Sequence, residues 1–136
     1  MRLWHESLIP VLPRQQLLGQ HRECCALRGN GWGKPHSVVN YVFKYSRVKL
    51  VLYHIEVMNE MKRRGYNVDE AWYDFNYRGK VCEPDSDVYV AEGMCDCEMD
   101  IVFRPLYSEH NNTYFGECVR NLRDKGITVI VPSTED

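Results

Sequence analysis

The sequence lacks most of the features that mark a specialised chain. No apolar run approaches the roughly 18–20 residues a membrane helix needs, and the opening residues carry no signal-peptide apolar core. The expected compartment is the cytoplasm, with no membrane partner. The five histidines (His5, His21, His36, His54, His110) show no His-x3-His spacing, and Cys24-Cys25 and Cys95-x-Cys97 form no standard zinc set. In a reducing compartment the six cysteines (Cys24, Cys25, Cys82, Cys95, Cys97, Cys118) are expected mostly as thiols. The glycine-rich stretch 29–36 is no nucleotide-binding phosphate loop, because the required spacing and the Ser/Thr after the lysine are missing.

What is present reads as one ordinary globular domain spanning residues 1–136, with 44% hydrophobic and 26% charged residues. Its net charge of -2 hides a split. Residues 1–80 carry thirteen Lys/Arg against seven Asp/Glu, whereas residues 81–136 carry four against twelve. Such asymmetry gives the first half the character of a polyanion-facing surface. The acidic half is not expected to supply contacts to a polyanion.

Along the chain, an apolar entry segment (residues 1–12) is broken by Pro10. A helix is predicted from Pro13 to about Arg28, stopped by Gly29 and Gly31. Leu17, Leu18, His21, Cys24 and Cys25 make its buried stripe, and Gln15, Gln16, Gln20, Arg22 and Glu23 its polar face. Gly19 lies on that face and leaves an open floor where another molecule can approach the helix backbone. A short helix is predicted over Ser37–Phe43, and a long one runs from a Ser46 cap to Gly65. Its last turn holds Lys62, Arg63 and Arg64, explained equally by the helix dipole and by phosphate contact. A last helix spans about Asn112–Lys125, ended by Gly126, and short strands are predicted near 88–91, 101–103 and 127–131. The segments 53–68 and 114–129 echo one another in tyrosine, apolar spacing, basic last turn and glycine stop. The fold class is thus mainly α: one compact domain of three or four helices with long irregular loops and a few short strands.

MRLW at the start, followed by QQLLGQHRE with its glutamate at position 23, resembles the pyrimidine-dimer DNA glycosylases (endonuclease V–like). Their pattern runs Thr-Arg-apolar, then Gln-x-Leu-apolar-x-x-aromatic-Arg-Glu on the first helix. KLVLYHIEVMNEMKRRGYNV (49–68) is similar to that family's helix ending Lys-Arg-Gly-aromatic-Asn-apolar. The resemblance covers about the first 70 residues, in preserved order. From residue 81 onward there is no correspondence.

The resemblance implies that the α-amine of the first residue is the nucleophile and that Glu23 is the acid/base group. Aligned this way, Met1 takes the place of the family's usual threonine. Arg2 is bulky enough to block methionine removal, so the amine would be that of Met1 itself. The chemistry is reasonable on physical grounds. An α-amine with a pKa of about 7.7–8.0 is partly neutral near pH 7, unlike lysine at about 10.4. A neutral amine can attack a sugar C1′ to form an imine, and an adjacent carboxylate can stabilise developing positive charge and then accept the C2′ proton. The partner implied is damaged double-stranded DNA, and no cofactor or metal is required. Candidate nucleic-acid contacts are Arg2, Gln15, Gln16, Arg22, Trp32 and Lys34, with Trp32 suited to stack in an opened base pair. Two alternatives stand beside this reading. One is a non-catalytic nucleic-acid-binding protein on the same scaffold. The other is a metal-binding or protein-interaction module built from the cysteines and histidines.

Overall fold

The computed structural model describes residues 2–34, 39–45, 47–80, 82 and 106–127. Within them the fold is helical, with no strand among the described residues. Three α-helices carry it: α1 (Arg14–Arg28), α2 (Arg47–Arg63) and α3 (Asn112–Asp124). Three 3-10 turns, Glu6–Val11, Asn40–Lys44 and Glu70–Tyr73, connect or flank them. The strands predicted at 88–91, 101–103 and 127–131 fall outside the described residues, apart from Ile127, which is irregular.

α2 is the central element. Nine of its residues are buried, including Leu50, Tyr53, His54 and Val57, so it contacts neighbours on most of its circumference. That is broader than the single stripe its apolar pattern predicts. Its apolar residues Leu52 and Ile55 are only half-buried, while Tyr53 and His54 are enclosed. One hydrophobic core joins the entry segment (Leu3, Trp4, Leu8, Ile9, Leu12) to all three helices and to Leu106 and Tyr107. The acidic half therefore contributes α3 and residues 106–107 to the same core as the basic half.

The two echoing segments share a local cause. At the end of α2, Gly65 has φ +89°, its N–H donates to Lys62 O at 2.9 Å, and Tyr66 N–H donates to Met61 O at 2.9 Å. At the end of α3, Gly126 has φ +81°, its N–H donates to Arg123 O at 2.9 Å, and Ile127 N–H donates to Leu122 O at 2.9 Å. Both are the same left-handed cap, in which the last carbonyls are satisfied by the two amides after the helix. The short helix predicted over residues 37–43 is instead a 3-10 turn at Asn40–Lys44, with residues 35–38 outside the described set.

α1 ends differently. A Cβ on Gly29 would lie 2.6 Å from Arg78 O, so the returning loop leaves no room for a side chain. Arg78 occupies this junction, donating from Nε to Arg28 O at 3.0 Å and from an Nη to Gly29 O at 3.2 Å. It thereby binds the terminal carbonyls of the helix. Gly29→Ala should destabilise by up to about 3 kcal/mol, because backbone must move. Gly65→Ala, with open space around the new methyl, should cost about 1–2 kcal/mol of left-handed strain. Urea unfolding at constant m-value checks the order, and equal losses would contradict the close-approach argument.

Candidate active site at the chain start

Residues 2–4 form no regular element, yet their backbone is held by side chains from all three helices. From α1, Gln20 Nε2 donates to Arg2 O at 3.0 Å, and its Oε1 accepts from Trp4 N–H at 2.7 Å. From α2, Tyr53 OH lies 2.5 Å from Trp4 O and 2.8 Å from Gln20 Oε1, its single proton shared between the two carbonyls. From α3, Tyr114 OH donates to Leu3 O at 2.6 Å. Gln20 and Tyr53 are themselves buried, at 2% and 0% exposure. Burial pushes the Tyr53 phenol well above its ordinary range, so the hydroxyl stays protonated as a donor.

Glu23 lies three residues beyond Gln20 on α1, so the two share a helix face. It is buried, at 7% exposure, as is Gln20. The polar face predicted for α1 is thus not a solvent face. Only Gln15 and Arg22 of the five predicted residues are fully exposed, and Gln16 is half-buried. Beside the chain start lies a cavity of about 420 Å³ lined by Arg2, Trp4, Gln16, Gly19, Gln20, Asn121 and Lys125. Gly19 does form an open floor, and the nearest side-chain atom to a Cβ there would be an Arg22 guanidinium nitrogen at 3.7 Å. Two cations flank the Trp4 ring, with Lys125 Nζ 5.6 Å and Arg2 Cζ 5.8 Å from its centroid. The acidic half, expected to stay clear of this surface, sends Asn121 and Lys125 into it.

The structure therefore gathers Arg2 and Gln16 around one cavity, with Arg22 at its edge. Trp32 is elsewhere, half-buried against Phe43 with ring centroids 5.0 Å apart and with the Arg47 guanidinium 4.8 Å over its ring. Lys34 is exposed in the loop that follows. Met1 and His36 lie outside the described residues. The basic trio ending α2 is engaged internally: Arg63 and Arg64 pair with Glu60, and Lys62 Nζ is 2.6 Å from Glu70. Those pairs favour the local explanation of the cluster over phosphate contact.

A second polar group on α1 faces away from Glu23 and was not legible as a unit in the sequence. Arg28 is fully buried and donates to Trp72 O, Asp74 O and Tyr77 O at 2.6, 2.8 and 3.1 Å, and to His54 Nδ1 at 3.0 Å. Burial lowers its pKa only to about 10, so it remains a cation. His54 Nε2 is 2.8 Å from His21 Nδ1, and Cys25 Sγ lies 3.8–3.9 Å from the two rings. By distance alone, His21, Cys25 and His54 form a possible metal set. The donor chemistry does not fit. Arg28 can only donate, so His54 Nδ1 must carry the lone pair, and the neutral ring then bears its proton on Nε2, the atom that would have to ligate. The same tautomer makes His54 the donor to His21. Burial holds His54 well below the usual histidine range, and burial pulls His110 down to about 3. Both groups bind fewer protons folded than unfolded, so their contribution to stability is present above pH 6.5 and is lost as pH falls from there toward the folded pKa. The ring resonances of His54 and His110 should stay flat between about pH 8 and pH 5, while the urea midpoint falls below about pH 6.5. Titration of either ring near pH 6.5 in the folded protein would contradict the assignment.

No curated protein and no solved structure matches the chain. Residues 1–74 match the family model described as pyrimidine dimer DNA glycosylase. The matched segment is more than half of the 136 residues and contains the chain start, α1 with Glu23, and α2 with Tyr53. The chain belongs to the pyrimidine dimer DNA glycosylase family.

Proposed function

We propose that the protein excises damaged pyrimidines from duplex DNA and nicks the strand as a glycosylase/AP lyase, with the Met1 α-amine as nucleophile and Glu23 as acid/base. The observation that carries this reading is the family match together with the attachment of residues 2–4 to the helix that bears Glu23. The neutral amine attacks C1′ of the damaged nucleotide, and the C1′–N glycosidic bond breaks with its electron pair leaving on the base. The ammonium so formed gives up a proton, which passes to O4′ as the C1′–O4′ bond opens, and an iminium joins the protein to the sugar. Glu23 then accepts a C2′ proton, and the electrons of that bond expel the 3′ phosphate by β-elimination. Water hydrolyses the imine and returns the amine. A buried carboxylate suits both tasks, because the low-dielectric surroundings strengthen its interaction with the cationic iminium. Arg2 and Lys125 line the cavity and Arg22 lies beside its Gly19 floor, which supports assigning phosphate contacts to these cations.

Borohydride should trap a covalent adduct with abasic-site duplex DNA, and peptide mapping should place it on residue 1. Glu23→Gln should bind the duplex normally yet lose roughly 10²-fold or more in turnover. An adduct on a lysine such as Lys34, or near-normal cleavage by Glu23→Gln, would overturn the mechanism. Failure of the parent protein to form any adduct while it binds DNA would favour the scaffold-only DNA binder.

Salt dependence separates the cations. The log–log slope of affinity against salt should fall by about one unit on replacing Arg2, Arg22 or Lys125 with glutamine. Replacing Lys62 should leave the slope unchanged, because its charge is already met by Glu70. The opposite ranking would move the DNA surface to the end of α2.

A further inference from the structure

A core position filled by a polar residue calls for an explanation, because burying an amide is costly unless its hydrogen bonds are made. On α1, Leu17, Gln20, Cys24 and Leu27 are all buried and recur at the spacing of a single apolar stripe. Leucine at position 20 would continue that stripe with no polar group to satisfy. Glutamine there contributes both ends of its amide to the chain start: the NH2 to Arg2 O, and the oxygen to Trp4 N–H. Arg2 O, Trp4 N and Trp4 O meet the Gln20–Tyr53 pair, while Leu3 O meets Tyr114 separately. This alternation is the one an extended backbone produces, with successive residues facing opposite sides. Gln20 thus plays the part of a neighbouring strand for a segment that has none among the described residues.

Chain ends ordinarily fray, and each backbone residue fixed costs about 1–2 kcal/mol of conformational entropy. Fixing this one with buried side chains has a consequence for an amine located one residue before Arg2. A nucleophile on a fraying end samples many orientations, whereas a held one approaches its target as an intramolecular group. We propose that Gln20 and Tyr53 are positioning residues that hold the backbone of residues 2 and 4, and so limit the orientations open to the α-amine that precedes them in sequence. This rests on the reading of the Met1 amine as nucleophile. Neither residue touches the reacting atoms. Both act through the backbone of residues 2 and 4.

Three variants test it. Gln20→Glu keeps an acceptor for Trp4 N–H and loses the donor to Arg2 O, Gln20→Leu removes both, and Tyr53→Phe removes only the hydroxyl. For each, the single-turnover rate of borohydride-trapped adduct on abasic-site duplex is compared with the Kd for a duplex holding a tetrahydrofuran abasic analogue. Far-UV circular dichroism at the assay temperature gives the folded fraction. The expected result is a trapping rate lower by roughly 10- to 100-fold in Gln20→Leu and Tyr53→Phe. Kd should stay within about twofold, the apparent pKa of the trapping pH profile should not change, and Gln20→Glu should be intermediate. Trapping at the parent rate in all three variants would overturn the proposal. So would a rate that falls only in proportion to folded fraction or to Kd, since that pattern belongs to a purely structural role. If the parent itself forms no adduct, the amine mechanism fails first and the positioning role fails with it; a trapping parent with unaffected variants removes the positioning role alone.

Discussion

The side-chain amide of Gln20 is the interaction around which the site is organised. It lies in the contact between α1 and the entry segment, shares a proton with Tyr53 of α2, and closes both backbone groups that residues 2 and 4 turn toward it. Tyr114 of α3 completes the enclosure from the other edge. Three helices from distant parts of the sequence therefore meet at a segment three residues long. The family match ends at residue 74, but the enclosure does not, because its third member and the cation Lys125 both come from beyond it. The acidic half therefore shares directly in forming the candidate site.

α1 works in two directions. One face carries Gln20 to the chain start, while His21, Cys25 and Arg28 turn toward α2 and the loop after it. The second group is a structural latch. Arg28 collects three carbonyls of residues 72–77, and Arg78 returns to bind the last carbonyls of α1. A buried guanidinium is tolerable here because four of its donors are used, three of them on carbonyl dipoles. The aromatic, basic segment 71–80 thus has a local role in holding α1 firm, and a firm α1 is what a carboxylate at Glu23 requires.

Much of the architecture was legible in the sequence. The three α-helices and their glycine stops followed from apolar spacing, and Gly65 and Gly126 adopt the left-handed conformation of such stops, while the Ser46 cap expected for α2 lies outside the described residues. The family was legible from order and spacing near the start. The sequence reading misplaced burial of polar residues. Gln20 was assigned to the polar face although it stands in phase with Leu17, Cys24 and Leu27, and that phase was the available signal. Arg28 was read only as the end of α1, and nothing along the chain marks the carbonyls of residues 72–77 that surround it. Lys125 was discounted with the half that contains it, since charge summed over a segment carries no information about where one side chain points. His54 and His21 pair across helices, which no spacing along the chain reveals.

The central claim is that the chain start is held in place rather than left free. Hydrogen exchange at the Trp4 amide measures this most directly, because that N–H is donated to Gln20 and to no backbone carbonyl. Held as described, it should exchange as slowly as the buried amides of α1 and α2, opening only when those helices part. Exchange at the rate of an unprotected chain end, with α1 and α2 protected, would contradict the account.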